Sequence, residues 1–244
     1  MNLSSIKRFT YGYCFSCQKT TSFVSTEYWL RDHYICTSCG SVPRQRAIMK
    51  ILNDKANNYK DLIIHESSPS GPTFELLKSI VPNYTYSYFY DNIELGEVIH
   101  NDVKCTNQNI EKLTFDNNSF DIFITQDVME HVNNPKSAFK EIARVLKPGG
   151  LYIFTVPLYP WIKTRARIKI NNGVIENILP AVYHGNPISA DGSLVTYDWG
   201  SDIADKISDW SKMQTEIISF PQSEENYHYG LEADFLQVLV SKKM

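Results

Sequence analysis

The stretch Ser119-Phe120-Asp121-Ile122-Phe123-Ile124-Thr125-Gln126-Asp127-Val128-Met129-Glu130-His131-Val132, with the run from Pro135 through Gly150 to Val156 after it, decides the fold. Phe120-Asp121-Ile122-Phe123-Ile124 reads as a clear strand, apolar at every position but Asp121. From Pro135 to Leu146, the residues Ala138, Phe139, Ile142, Val145 and Leu146 recur on one helical face. Lys147-Pro148-Gly149-Gly150 is expected to stop that helix with a cation, a breaker and a glycine C-cap, and a strand from Leu151 to Val156 comes at once. This is a strand–helix–strand unit.

Upstream, Ile48, Ile51 and Leu52 place a helix over Ala47 to Tyr59, and Leu62-Ile63-Ile64 reads as a first strand. Ser67-Ser68-Pro69-Ser70-Gly71-Pro72 is a turn cluster, after which Phe74, Leu76, Leu77 and Ile80 suit a helix opening near Pro72. Tyr84 to Tyr90 reads as a second strand and Val98-Ile99 as a third. Downstream, Pro160 to Trp199 lacks periodicity, Ile203 to Trp210 looks helical and Phe235 to Val240 closes the pattern as a strand. Alternating strands and helices predict an α/β fold, a doubly wound and mostly parallel sheet, with ligands at the carboxyl ends of its strands. A long irregular insertion, at about 158–200, is expected to serve as a lid or substrate wall.

The chain has 244 residues, 43% of them apolar, enough for one sizeable core and a small appendage. Its formal charge of −3 comes with scattered cations, which disfavours nucleic acid as a partner. No apolar run reaches the roughly eighteen residues of a membrane span, and Met1 to Phe15 lack a secretory pattern, so the reading is cytoplasmic with no membrane partner.

Four of the five cysteines form two pairs, Cys14-x2-Cys17 and Cys36-x2-Cys39, eighteen residues apart. Each pair can present two sulfurs from one turn, and the two turns can close a tetrahedron around Zn²⁺. Four thiolates leave no open position, so the metal is expected to be structural. The division expected is a zinc-ribbon-like module over 1–45 and a second domain over 46–244.

The segment Phe120-Asp121 through Glu130-His131-Val132, with Ala143-Arg144-Val145-Leu146-Lys147-Pro148-Gly149-Gly150, closely resembles the fourth strand and following helix of class I methyltransferases of the type 11 group. The cysteine segment looks like that of zinc-ribbon-bearing members. The resemblance covers roughly residues 60 to 157 and implies a Rossmann-like methyltransferase fold, an enzyme, and S-adenosylmethionine as cofactor. It carries over residue by residue. After the first strand the family has an acid and a Gly-x-Gly-x-Gly turn. Here Glu66 keeps the acid and Gly71 one glycine, while Ser67 and Pro69 replace the others. Small residues such as Ser67 and Ser68 still permit close ligand approach, and the next helix N-terminus can receive the methionine carboxylate. Tyr88 stands where the family has its ribose-binding acid. Asn109 aligns with the acid that accepts from the adenine amino group, and Ile110 with the residue whose backbone N–H meets the ring. Gln126 and Asp127 leave the fourth strand beside the expected sulfonium.

Each of these residues also has a plainer reading. Glu66 could cap the following helix, His131 and Glu130 could be packed structural residues, and His184 could be an ordinary loop histidine. As functional residues, His184 in the insertion is a candidate general base and Asp127 a candidate catalytic group. The leading expectation is methyl transfer, to an oxygen rather than a nitrogen, of a small molecule, sugar or glycan. An RNA methyltransferase is a second reading, and it requires Lys7, Arg8, Arg31, Arg44 and Arg46 to form one basic face. A third is a catalytically silent scaffold on the same fold.

Overall fold

A computed structural model describes residues 5–186 and 189–244. Its chain order begins with β1 (Arg8–Cys14), β2 (Lys19–Ser25), a short α1 (Leu30–His33) and β3 (Ile35–Cys36), which make a small antiparallel sheet in the order β1-β2-β3. Then come α2 (Pro43–Lys55), β4 (Ile64–Ser67), α3 (Gly71–Ile80), β5 (Tyr84–Tyr88), β6 (Cys105–Asn107), β7 (Phe120–Gln126), α4 (Pro135–Val145) and β8 (Leu146–Thr155). Short strands come next: β9 (Leu158–Tyr159), β10 (Arg165–Ala166), β11 (Ile168–Asn171), β12 (Val174–Asn177), β13 (Tyr183–Asn186), β14 (Ser189–Leu194) and β15 (Tyr197–Gly200). The chain closes with α5 (Ile203–Ser211), β16 (Gln214–Ser219), α6 (Glu224–His228) and β17 (Gln237–Lys242).

The main sheet has the order β16-β17-β8-β7-β4-β5-β6. Strands β6, β5, β4, β7 and β8 are parallel, and β17 is antiparallel to both its neighbours. This is the doubly wound α/β fold that the alternation predicts. Successive side chains of β7 serve opposite faces. Ile122 and Ile124 pack with Ile48, Leu52 and Leu77 of α2 and α3, whereas Phe123 packs with Phe139 and Ile142 of α4. From β4 the chain winds outward to β5 and β6, then crosses to β7 on the other side. The sheet therefore has a topological switch point between β4 and β7, and a crevice opens at their carboxyl ends.

Local chemistry sets the helix starts. Asn134 accepts from the Ser137 N–H, with Pro135 in the first turn of α4. In α2, Pro43 opens the helix and the Gln45 side chain accepts from the Val42 N–H at 3.1 Å.

Several sequence expectations are corrected. The third parallel strand is Cys105–Asn107, not Val98-Ile99; Val98 makes only an isolated bridge to Thr106. The first strand lies at Ile64–Ser67, later than the apolar run predicts, because β4 pairs with β5 from Ile64 onward. The glycine C-cap on α4 is absent: Leu146 is extended at φ −69° and ψ 141°, and β8 begins there by pairing with Phe120. Gly149, at φ 79°, instead sits in the irregular stretch of β8 between Leu146 and Leu151, where its N–H donates to the Lys243 carbonyl. The closing strand runs over Gln237–Lys242 and has an unforeseen edge partner, β16. The insertion is not irregular throughout. It contains the hairpins β11–β12 and β13–β14 and a three-stranded sheet, β10-β15-β9. Pro187 of the Tyr183 to Pro187 motif lies outside the described residues.

The small N-terminal sheet docks on the end of the chain. A Cβ at Gly12 would fall 1.8 Å from the His228 carbonyl oxygen, and one at Gly230 would fall 2.6 Å from the Phe23 ring. Only hydrogen at these two positions allows so close an approach. Arg46, fully buried, donates to the carbonyl oxygens of Ser41, of Tyr34 at 2.9 Å and of Gly230 at 2.5 Å, and it stacks on Phe23. One guanidinium thus ties the N-terminal module, α2 and the C-terminal segment together. Among the described residues, no helix is long and apolar enough to cross a membrane.

Candidate active site

The sulfurs of Cys14 and Cys39 lie 3.9 Å apart, those of Cys17 and Cys36 4.0 Å apart, and all four group within 4.8 Å. Sulfurs bound to one tetrahedral Zn²⁺ at about 2.3 Å are separated by about 3.8 Å. The cluster therefore has the dimensions of a closed four-thiolate site. No cysteine is in a disulfide; Cys105 is buried apart, its thiol pushed up to about 11 mainly by burial.

At the switch point, a cavity of about 410 Å³ is lined by Ser67, Ser68 and Ser70 after β4, Tyr88 and Phe89 after β5, Gln108, Asn109 and Ile110 after β6, and Gln126, Asp127 and Val128 after β7. The sequence-selected residues Ser67, Ser68, Tyr88, Asn109, Ile110 and Gln126 thus meet around one space. Its size is ordinary for a small-molecule site.

Two of the selected residues stand behind the wall rather than on it. Glu66, fully buried, accepts from the Tyr84 hydroxyl at 2.6 Å and from Gln126 Nε2 at 2.8 Å. Burial raises its pKa to about 7, although both hydrogen bonds act in the opposite sense. It caps no helix, and its effect on the cavity is to orient Gln126. Gly71, at φ 72°, leaves room for α2 rather than for a ligand: a Cβ there would meet Gln45 Nε2 at 2.4 Å. The expectation that Gly71 lets a cofactor approach is therefore corrected.

Gln126 Oε1 is buried and has no hydrogen-bond partner among the described residues. An orphaned acceptor in a polar cavity is costly unless a ligand donor meets it. Asn109 Oδ1 accepts from the Glu111 N–H at 2.9 Å and retains a second lone pair. The Tyr88 hydroxyl is committed to the Pro69 carbonyl at 2.9 Å. Gln108, which no motif in the sequence marks, pins this loop by accepting from the Thr114 N–H and donating to the Thr114 hydroxyl.

A second chamber, of about 530 Å³, adjoins the first and shares Arg44, Asp127, His131 and Gly185 with it. Its other walls are Trp29, Arg31 and Asp32 from the N-terminal module, Pro157 to Tyr159 and Trp161 after β8, His184, and Phe235. Trp29 stacks on Phe235 at 5.8 Å, and Trp161 meets the same ring edge-on at 5.4 Å. All three are partly exposed, so an aromatic rim surrounds the chamber. No short-range signal in the sequence marks Trp29, Arg31, Arg44 or Phe235 as neighbours of Asp127.

Asp127 is no proton carrier. Arg31 grips it with two bonds of 2.8 and 3.0 Å, Arg44 lies at 3.3 Å, and the Thr155 hydroxyl donates to it at 2.8 Å. Burial alone would raise its pKa, but the two guanidiniums overcome that and hold the carboxylate well below its usual range. The expected catalytic role gives way to a structural one, as a strap between the module and β7.

Glu130 and His131 occupy a short turn after β7, and His184 reaches them from β13. Glu130 Oε1 is 3.8 Å from His131 Nε2 and 3.7 Å from His184 Nδ1. Burial raises the Glu130 carboxyl, and the carboxylate in turn raises His184.

A mostly parallel sheet with a cavity at its switch point and small residues after the first strand defines a Rossmann-like methyltransferase fold. Residues 89–154 match the family described as "Methyltransferase domain", which bears out the resemblance carried by Phe120 to His131. A sarcosine/dimethylglycine N-methyltransferase of Aphanothece halophytica is 42% identical over 48 residues, 20% of this chain and 17% of that protein. The chain thus matches only about a sixth of that relative's length. The solved S-adenosylmethionine-dependent methyltransferase of Mesorhizobium loti is similar over 80% of this chain and 97% of that one, with a TM-score of 0.50 at 14% identity, a likeness of fold. The 1,6-didemethyltoxoflavin-N1-methyltransferase of Burkholderia thailandensis, solved with S-adenosylhomocysteine, gives 0.46 at 12% identity over 82% and 78% of the two chains.

Proposed function

We propose that the protein transfers the methyl group of S-adenosylmethionine to a hydroxyl oxygen of a small molecule, sugar or glycan held in the aromatic-rimmed chamber. The observation that carries this reading is the pair of adjoining cavities sharing the wall Arg44, Asp127, His131 and Gly185. One has the cofactor's size and an unmet acceptor; the other has room for a ring. When bound, the cofactor supplies a methyl group activated by a sulfonium. Gln126 Oε1 would accept from the methionine ammonium, and the backbone at Ser67 to Ser70, which lines the cavity, would receive the carboxylate. The free lone pair of Asn109 takes the adenine amino group, with Ile110 and Tyr88 beside the rings. Walls on both sides exclude water and fix the approach of the acceptor.

Both relatives described above whose names print an acceptor are N-methyltransferases; the Glu130–His131–His184 cluster beside the chamber favours oxygen here, since a hydroxyl must lose its proton as it is methylated whereas a neutral amine can keep its proton until the new N–C bond has formed. The cysteine cluster holds a structural Zn²⁺, which keeps Trp29, Arg31 and Arg44 in the chamber wall. Unpaired thiols suit a reducing compartment such as the cytoplasm. RNA is disfavoured because Arg46 is buried, Arg31 and Arg44 bind Asp127, and Arg8 binds Glu232 at 3.0 Å.

Calorimetric titration with S-adenosylhomocysteine tests the reading. Saturable binding that Gln126→Ala weakens about tenfold, the loss of one good hydrogen bond, is expected. Absence of binding to the wild-type protein would leave a silent scaffold.

A further inference from the structure

We propose that Glu130, His131 and His184 bind a divalent transition-metal cation, separate from the cysteine cluster and open to the chamber, where it grips the acceptor's hydroxyl oxygen. The site itself stands on geometry, and its part in the reaction rests on the methyl transfer to oxygen proposed for the chamber.

Glu130 is 1% exposed, and neither of its carboxylate oxygens has a hydrogen-bond partner among the described residues. A buried carboxylate so placed is expensive unless a cation meets it. The imidazole nitrogens of His131 and His184, at 3.8 and 3.7 Å, are too far away to hydrogen-bond to it. Those distances are close to the separation of about 3.4 Å between two ligands on one tetrahedral ion with bonds of about 2.1 Å. One ligand atom from each of the three residues falls within 4.8 Å of the others.

The orientation of His131 fits the same reading. Its Nδ1 lies 2.9 Å from the Leu194 carbonyl oxygen, a contact that only a protonated nitrogen can make. The proton is therefore fixed on Nδ1, and Nε2, facing Glu130, presents a lone pair. Metal-bound histidines are held by their second nitrogen in this way. The turn that bears Glu130 and His131 is also anchored. The Thr196 N–H and hydroxyl donate to the Glu130 carbonyl at 2.7 and 2.9 Å, and the same hydroxyl lies 2.6 Å from the Val132 carbonyl. The ligands thus sit on a pinned backbone.

Two imidazoles and a carboxylate suit Zn²⁺, Co²⁺, Mn²⁺ or Fe²⁺, in contrast to the soft thiolates of the other cluster. Asp127 is held by Arg31 and Arg44 and adds no ligand. Three protein ligands leave positions open, and His131 and His184 both line the chamber. A cation there lowers the pKa of a bound hydroxyl. The acceptor's O–H proton leaves past the partly exposed rim to bulk solvent, the oxygen's electron pair forms the new O–C bond, and the sulfonium sulfur keeps the pair from the broken S–C bond.

The test is a Co²⁺ titration of protein whose cysteine cluster is filled with zinc, monitored by visible absorption and equilibrium dialysis. One further equivalent is expected, with the weak bands of nitrogen and oxygen ligands and no thiolate charge-transfer band. Glu130→Gln and His184→Ala should each weaken it by more than about tenfold. Circular dichroism and S-adenosylhomocysteine titration of the same preparations report folding. Binding confined to the cysteines, or equal affinity in both folded variants, would overturn the proposal. S-adenosylhomocysteine binding without this Co²⁺ overturns the cation site alone. Co²⁺ binding without S-adenosylhomocysteine binding overturns the proposed function and leaves the cation site standing.

Discussion

The two cavities share a wall but are built differently. The floor of the first comes from the ends of β4, β5, β6 and β7, adjacent strands whose spacing is set by the sheet's own hydrogen-bond ladder. The second is closed by segments as distant in the chain as Trp29, Trp161, His184 and Phe235, brought together by ion pairs, aromatic contacts and the docked N-terminal module. A ladder fails only when the sheet fails. An assembly of long-range contacts can fail alone, so acceptor handling and cofactor binding should be separable by substitution.

The largest separation is expected from removing the zinc proposed for the module. Chelation, or Cys36→Ser, should open the small sheet to proteolysis and lower methyl transfer by more than about 100-fold, because zinc binding is folding free energy for so small a unit. Affinity for S-adenosylhomocysteine should change less than about fivefold; a loss as deep as that of turnover would mean the cavities are one unit. Asp127→Ala should come next. It leaves the Arg31 guanidinium, whose side chain is 7% exposed, with only the partly exposed Asp32 at 3.6 Å, and should lower stability by up to roughly 3–5 kcal/mol in denaturant unfolding. Replacing both partners, Arg31→Met with Asp127→Leu, should restore most of that loss, since a well-packed apolar pair can stand in for a buried ion pair.

The smallest effect sharpens the comparison from the sheet side. The Glu66 carboxyl rises from the ordinary 4.5 to about 7 in the folded protein, so the folded state keeps a proton that the unfolded chain releases. Its contribution to stability is full below about pH 4.5 and is lost as pH rises through about 7, amounting to at most about 3 kcal/mol. Glu66→Gln should flatten the stability profile across that window; an unchanged slope would place its source elsewhere.

The sequence was legible where local pattern and long-range structure agree. Ile122 to Ile124 and the α4 stripe could be read because both faces of β7 are buried there and three consecutive apolar residues fill them. Edge strand β16 escaped because Gln214 to Ser219 is mostly exposed and carries no apolar face. β6 escaped because only three residues pair, and Val98-Ile99 nearby is the more apolar dipeptide. Lys147 to Gly150 read as a helix stop because glycine and proline signal a break without specifying the element beyond it. In the site, residues at strand ends could be placed by counting along the chain. Arg31 and Asp127 could not, since their pairing exists only once the module has docked.

The seat of that module has a consequence for how the protein can change. Gly12 and Gly230 fix its position by lacking side chains, and the cysteines fix its shape, yet neither faces the chamber. The segment between β2 and β3 carries Trp29 and the short α1 with Arg31 and Asp32; Arg31 is tied to Asp127, whereas Tyr28 and Trp29 are exposed and have room to vary. New preferences for the acceptor of the proposed transfer can therefore arise by exchanging a few residues of a clamped segment, much as a tool bit is changed in a chuck, while the cavity at the strand ends is left unaltered.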